Sequence, residues 1–158
     1  MTESTRAQAD IVPYTAEYEQ LVRGWIDSEE TYRHVCQATD FPPPEDIVGN
    51  WQRVDVAAYI LLTDRQPVAY GELWDRPVEM GAEIGHLLVD PYKRSRGYGS
   101  LMLQLLFERA SGRPRVQKVM LHLFGGDEIV LGCYLKAGFE LTGTTAAGSG
   151  LKMVRLVE

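Results

Sequence analysis

At 158 residues the chain has the length of one domain, and 45% hydrophobic with 24% charged residues is the balance of a globular protein rather than a disordered one. Sixteen basic against twenty-two acidic residues leave a net charge of −6, which speaks against a nucleic-acid partner and for a cationic one. No apolar run is long enough to span a bilayer and the polar start Met1-Thr2-Glu3-Ser4-Thr5-Arg6 is unlike a secretory signal, so no membrane partner and a cytoplasmic location are expected.

Residues 1–9 read as a loose tail and residues 10–158 as a single domain. Ile11 and Val12 before Pro13 predict a short strand. From Ala16 to Ile26 the apolar residues Tyr18, Leu21, Val22, Trp25 and Ile26 recur at spacings of three and four, one face of a helix. Phe41-Pro42-Pro43-Pro44 stops any helix before it, and a short helix is expected from Pro44 to Trp51. This region gathers Trp25, Tyr32, Phe41 and Trp51 with Asp27, Glu29, Glu30 and Asp40, a mixture suited to an organic ammonium and equally to an ordinary core with solvated carboxylates.

Val56–Thr63 and Pro67–Trp74 predict a hairpin turning at Asp64-Arg65-Gln66. On its second strand Tyr70, Glu72 and Trp74 share a face, and Glu72 is either a pocket carboxylate or a residue on the open side of the sheet. Gly81–Val89 is the next strand and Tyr98–Ala110 a helix burying Leu101, Met102, Leu105 and Leu106, with Leu103 and Phe107 widening its apolar face. Strands at Lys118–Phe124, Phe139–Thr142 and Leu151–Val157, with a helix after Asp127, complete a mixed α/β domain in the order β-α-α-β-β-β-α-β-α-β-β. Cys36 and Cys133 are too few and too far apart for a disulfide framework, and His34, His86 and His122 lack metal-ligand spacing, so no metal is expected.

Glu83 to Met102 runs strand, basic glycine turn, helix, an arrangement that makes an anion site. First-turn N–H groups have no internal partners and carry partial positive charge, while Gly97 and Gly99 let an anion approach and Lys93, Arg94 and Arg96 add charge. A dinucleotide fingerprint is excluded by Met102 and a mononucleotide P-loop by the missing Gly-Lys-Ser/Thr. The remaining pattern, Val89-x-Pro91-x-x-Arg94-x-x-Gly97-x-Gly99, resembles the pyrophosphate motif of the GNAT superfamily of acyl-CoA-dependent N-acyltransferases. Downstream, Asp127-x-x-Val130-x-x-Cys133-Tyr134-x-x-x-Gly138-Phe139 resembles that family's second signature, with Asp127 in place of the usual asparagine, so that a contact from Asp127 to the cofactor is left open. The resemblance covers about residues 57–142.

It implies a mostly antiparallel sheet splayed where acetyl-CoA binds. Backbone at Leu87, Leu88 and Val89 would hold the pantetheine, and Arg94, Ser95, Arg96, Gly97, Tyr98, Gly99 and Ser100 the pyrophosphate. Glu83 stands where several members carry a general base, with His86 and Glu72 in reserve, and Tyr134 matches the tyrosine that protonates the leaving thiolate. The expected activity is N-acetylation of a primary amine on a small cation, drawing for its acceptor site on Trp25, Tyr32, Glu72, Trp74 and His86. A protein N-terminal or lysine acetyltransferase and a non-catalytic acyl-CoA sensor are the alternatives, and a homodimer is a family habit.

Overall fold

The computed structural model describes residues 8–124, 128–145 and 150–158. One seven-stranded sheet is built from β1 (Ala9–Pro13), β2 (Val56–Thr63), β3 (Gln66–Arg76), β4 (Gly81–Val89), β5 (Lys118–Phe124), β6 (Glu140–Thr144) and β7 (Gly150–Leu156). Helices α1 (Glu19–Gly24), α2 (Glu29–Cys36) and α3 (Ile47–Trp51) fall between β1 and β2, α4 (Tyr98–Ser111) between β4 and β5, and α5 (Glu128–Lys136) between β5 and β6. Asp127 lies outside the described residues, as does most of the loop between β6 and β7.

Three helices rather than two precede β2. The additional one, α2, starts at Ser28, whose Oγ accepts from the Thr31 N–H at 3.1 Å, carries Glu29 and Glu30 in its first turn, and ends at Gln37 in the left-handed region. Strand β1 takes in Ala9, paired with Thr63, one residue earlier than the tail predicted from sequence would allow. The β2–β3 turn places both Asp64 and Arg65 at positive φ, 50° and 65°, the backbone of a two-residue hairpin whose twist matches its strands.

The sheet order is β1-β2-β3-β4-β5-β7-β6, and every neighbouring pair is antiparallel except β4 with β5. Strand alternation divides the core in two. On one face Leu73, Ala82, Ile84, Val119 and Leu121 pack with Leu101, Met102, Leu106 and Phe107 of α4. On the other, Ala58, Ile60, Tyr70 and Leu88 pack with Val22, Trp25, Ile26, Tyr32 and Val48 from the α1–α3 layer. Fully buried side chains such as Met102 and Leu106 each stabilise this arrangement by about 1.5–3 kcal/mol. Leu103 is buried, whereas Leu105 is half-buried, because α4 is covered beyond the sheet face on the side where the cleft opens.

Candidate active site

The parallel pairing of β4 with β5 stops at Ile84 and Leu121, although β4 continues to Val89 and β5 to Phe124. From Gly85 onward β4 therefore offers backbone N–H and C=O groups that β5 does not bond, an open edge for an extended ligand. The gap is a cavity of about 510 Å³. Its two halves follow from alternation. Leu121 and Leu123, with Leu103 on α4 and Val130 and Tyr134 on α5, make an apolar half on the α4 side. Trp74, Arg76, Glu83, His86 and His122, closed by His34 to Gln37 at the end of α2, make a polar half on the opposite side.

A bulge builds the wall next to the open edge. The β3–β4 register passes from Tyr70 opposite Leu88 to Glu72 opposite Gly85, so His86 and Leu87 together face the single residue Gly71. His86 sits there at φ 45°, in the left-handed region. Gly85 is required for a different reason: a Cβ at this position would lie 2.6 Å from the Trp74 indole, which crosses directly over it.

Beneath Trp74 and His86 lies Glu72, fully buried. Its Oε2 accepts from the Tyr70 hydroxyl at 2.5 Å, and its Oε1 from Trp74 Nε1 at 2.6 Å and from His86 Nδ1 at 2.8 Å. Gln52 Nε2 donates to the Tyr70 oxygen at 2.9 Å, which leaves the Tyr70 proton for Glu72. Burial first, then the neighbouring Glu72 charge, push the Tyr70 hydroxyl far above an ordinary phenol, so it stays a donor. Glu72 is thus spent on neighbouring side chains and does not face the cavity, which corrects the expectation that it contacts substrate directly.

Glu83 is also buried, with both oxygens engaged: Arg76 Nε donates to Oε1 at 3.0 Å and His122 Nδ1 meets Oε2 at 3.1 Å. Arg76 also lies over the Trp74 ring at 5.1 Å. Cys36, on the α2 wall, has its thiol pushed up to about 12, chiefly by burial and secondarily by the Glu72 charge.

At the other end of the cleft the turn after β4 has the backbone that an anion cradle needs. Asp90 accepts from the Tyr92 N–H at 3.0 Å, and Ser95 and Gly97 adopt φ 62° and 85° just before α4 begins. Ser95, Arg96, Gly97 and Ser100 are exposed, Tyr98 packs partly on the main core, and a Cβ at Gly99 would lie 3.6 Å from Val89 Cγ2, an ordinary contact. Leu88 is a core side chain, so only its backbone is offered to a ligand, whereas Leu87 lines the cavity. Arg94 reaches back to the α1–α2 loop, donating to Asp27 Oδ1 at 3.3 Å and to the Trp25 carbonyl at 3.5 Å.

Trp25 and Tyr32 are buried in the second core and do not line the cavity, so neither is carried into the acceptor site below. Sequence reasoning passed over Arg76 and His122 as site residues and did not place Trp51 against His86, on whose ring it stacks at 4.0 Å and 17°. Alternation along β5 could have put His122 on the polar face; the Trp51 contact has no such signal.

A seven-stranded mixed sheet with one parallel pair thus opens over a basic glycine turn. The acetyltransferase (GNAT) family model matches residues 16–139, and the chain belongs to that family. The match begins well before residue 57, where the resemblance in motifs begins. The chain is 26% identical over 106 residues to an aminoglycoside N(6')-acetyltransferase type 1 of Klebsiella pneumoniae, covering 60% of this chain and 53% of the relative. It thus spans about half the length of the curated relatives it matches. Among solved structures, the Vibrio cholerae spermidine N-acetyltransferase in complex with CoA and spermine has the same fold, with TM-score 0.81 and 10% identity over 96% of both chains. So does the aminoglycoside acetyltransferase AAC(6')-Ib in complex with coenzyme A and kanamycin, with TM-score 0.77 and 19% identity over 94% of both chains. Among the described residues no helix is long and apolar enough to cross a membrane, and no group of three or more His, Cys, Asp or Glu side chains is placed to hold a metal.

Proposed function

We propose that this protein transfers the acetyl group of acetyl-CoA to a primary amine of a small cationic molecule in the cytoplasm. The single observation that carries the reading is the two-sided cleft, in which an unpaired strand edge and a glycine turn meet an apolar half holding Tyr134 and a polar half holding His86, Glu83 and His122. Acetyl-CoA fits this cradle: residues 85–89 present free strand backbone to pantetheine amides, and residues 94–100 present the exposed turn to a pyrophosphate. When bound, it supplies an activated acyl carbon.

The chain's own part is to bring the amine close, take its protons and return one to the leaving sulfur. Tyr134 is the proton donor on the α5 wall, since a phenol is protonated at neutral pH. Glu83 accepts from Arg76 on Oε1 and meets His122 on Oε2, and so holds both side chains along the polar wall. A cationic acceptor is supported by the net charge of −6. Curated relatives named for aminoglycosides and a fold neighbour crystallised with spermine point the same way.

The test is thiol release from acetyl-CoA with spermidine, kanamycin, free amino acids and lysine peptides as acceptors. Release with the first two is expected, and release with peptides alone would instead indicate a protein acceptor. Tyr134→Phe should lower turnover about 100-fold with acetyl-CoA affinity unchanged; wild-type turnover in that variant would remove Tyr134 from the mechanism.

A further inference from the structure

We propose that His86 is the general base that takes the acceptor's proton, and that buried Glu72 fixes the tautomer in which it can do so. The inference rests on the acetyl-transfer reading above. Three contacts hold the imidazole: the Trp51 face at 4.0 Å, the Trp74 edge at 5.4 Å and Glu72 Oε1 at 2.8 Å from Nδ1. The backbone places it on the extra residue of the β4 bulge at φ 45°, a left-handed conformation uncommon for a residue with a Cβ.

The proton count around Glu72 decides the tautomer. The indole N–H of Trp74 can only donate, and it donates to the same oxygen that His86 meets. The Tyr70 hydroxyl accepts from Gln52 and therefore donates to the other oxygen. Glu72 is surrounded by donors and is an acceptor throughout, so a neutral His86 carries its hydrogen on Nδ1 and has its lone pair on Nε2. The ring lines the cavity beside Gly85 and Leu87, where the β4 edge is unpaired. A carboxylate on Nδ1 both orients the ring and stabilises the imidazolium formed when Nε2 is protonated. His122, across the cleft, shares its carboxylate with Arg76, whose charge opposes a second cation there.

An acceptor R–NH3+ gives one proton to Nε2, which passes it to water, and the freed amine attacks the thioester carbonyl carbon. The C–N bond forms and the C–S bond breaks with its electron pair on sulfur; the thiolate takes the Tyr134 proton, and the remaining surplus proton on nitrogen restores Tyr134 through water. One amide, one thiol and one released proton result.

The experiment measures kcat/KM for spermidine and kanamycin in wild type, His86→Ala and His86→Gln, with acetyl-CoA affinity determined for each protein by titration. We expect losses of about 100-fold or more in both variants with acetyl-CoA affinity unchanged. Added imidazole should restore His86→Ala at least tenfold, with saturation, and leave wild type unaffected. Glu72→Gln should lower kcat rather than raise KM, and should add nothing in the His86→Gln background. Turnover of His86→Ala within threefold of wild type, or a loss that imidazole does not restore in protein that still binds acetyl-CoA, would overturn the assignment while leaving acetyl transfer standing. Absence of thiol release from the wild type with every amine would overturn both.

Discussion

Glu72 and Glu83 are two buried carboxylates on neighbouring strands, each meeting the Nδ1 of a histidine that lines the cleft. Their other partners separate them. Glu72 has two uncharged donors from its own strand, Tyr70 and Trp74, and is cut off from solvent. Glu83 has the guanidinium of Arg76, and its partners keep 28% and 29% of their side-chain surface exposed. A carboxylate among neutral donors lends its full charge to its histidine, whereas one already paired with arginine holds that histidine and compensates the arginine at once. On the proposal above, the same motif would give a proton acceptor at His86 and a fixed, charge-balanced surface at His122.

Removing each carboxylate should expose this difference. Glu72→Ala orphans one buried donor, Tyr70, and two half-buried ones, Trp74 and His86, and is expected to lower stability by about 3 kcal/mol in urea unfolding. Gly85→Ala pushes on the Trp74 ring and strips one donor from Glu72, with an expected loss of about 1–3 kcal/mol. Arg76→Gln removes a cation from the polar half while leaving Glu83 in place, and should lower KM for a cationic amine about tenfold, since one charge at roughly 10 Å amounts to about 1–2 kcal/mol at the effective dielectric of such sites. Glu83→Ala should cost only about 1 kcal/mol, because Arg76 and His122 can turn to water; a loss as large as that of Glu72→Ala would erase the contrast. The smallest effect concerns Cys36. With its thiol pushed up to about 12 it holds almost no thiolate at pH 8, so iodoacetamide should modify the exposed Cys133 first and leave Cys36 intact in the folded protein.

The turn after β4 was legible in the sequence because backbone conformation dictates residue identity there. Gly97 occupies a left-handed position at the start of a helix, Pro91 opens the preceding turn, and the strand before them is largely apolar, with its first four residues buried. The acceptor side is assembled by register instead. Glu72 meets His86 only because a bulge shifts β4 against β3, and His122 meets Glu83 only because β4 and β5 run parallel at this point. No local pattern specifies either pairing. Trp25 and Tyr32 show the same limit: an aromatic beside carboxylates has one composition in a pocket and in a core, and here the α1–α3 layer buries both. Helix α2 was passed over although Ser28 and two leading glutamates mark its start, because it is only eight residues long and its apolar stripe is confined to Tyr32, Val35 and Cys36.

The measurement that bears most directly on the account is amine-dependent thiol release from acetyl-CoA by the wild-type protein, with spermidine and kanamycin, followed by mass analysis of the amine. The account predicts one acetyl group gained by the amine for each thiol released. Saturable acetyl-CoA binding with neither thiol release nor acetylated amine would contradict it, and would make the cleft a binding site without turnover.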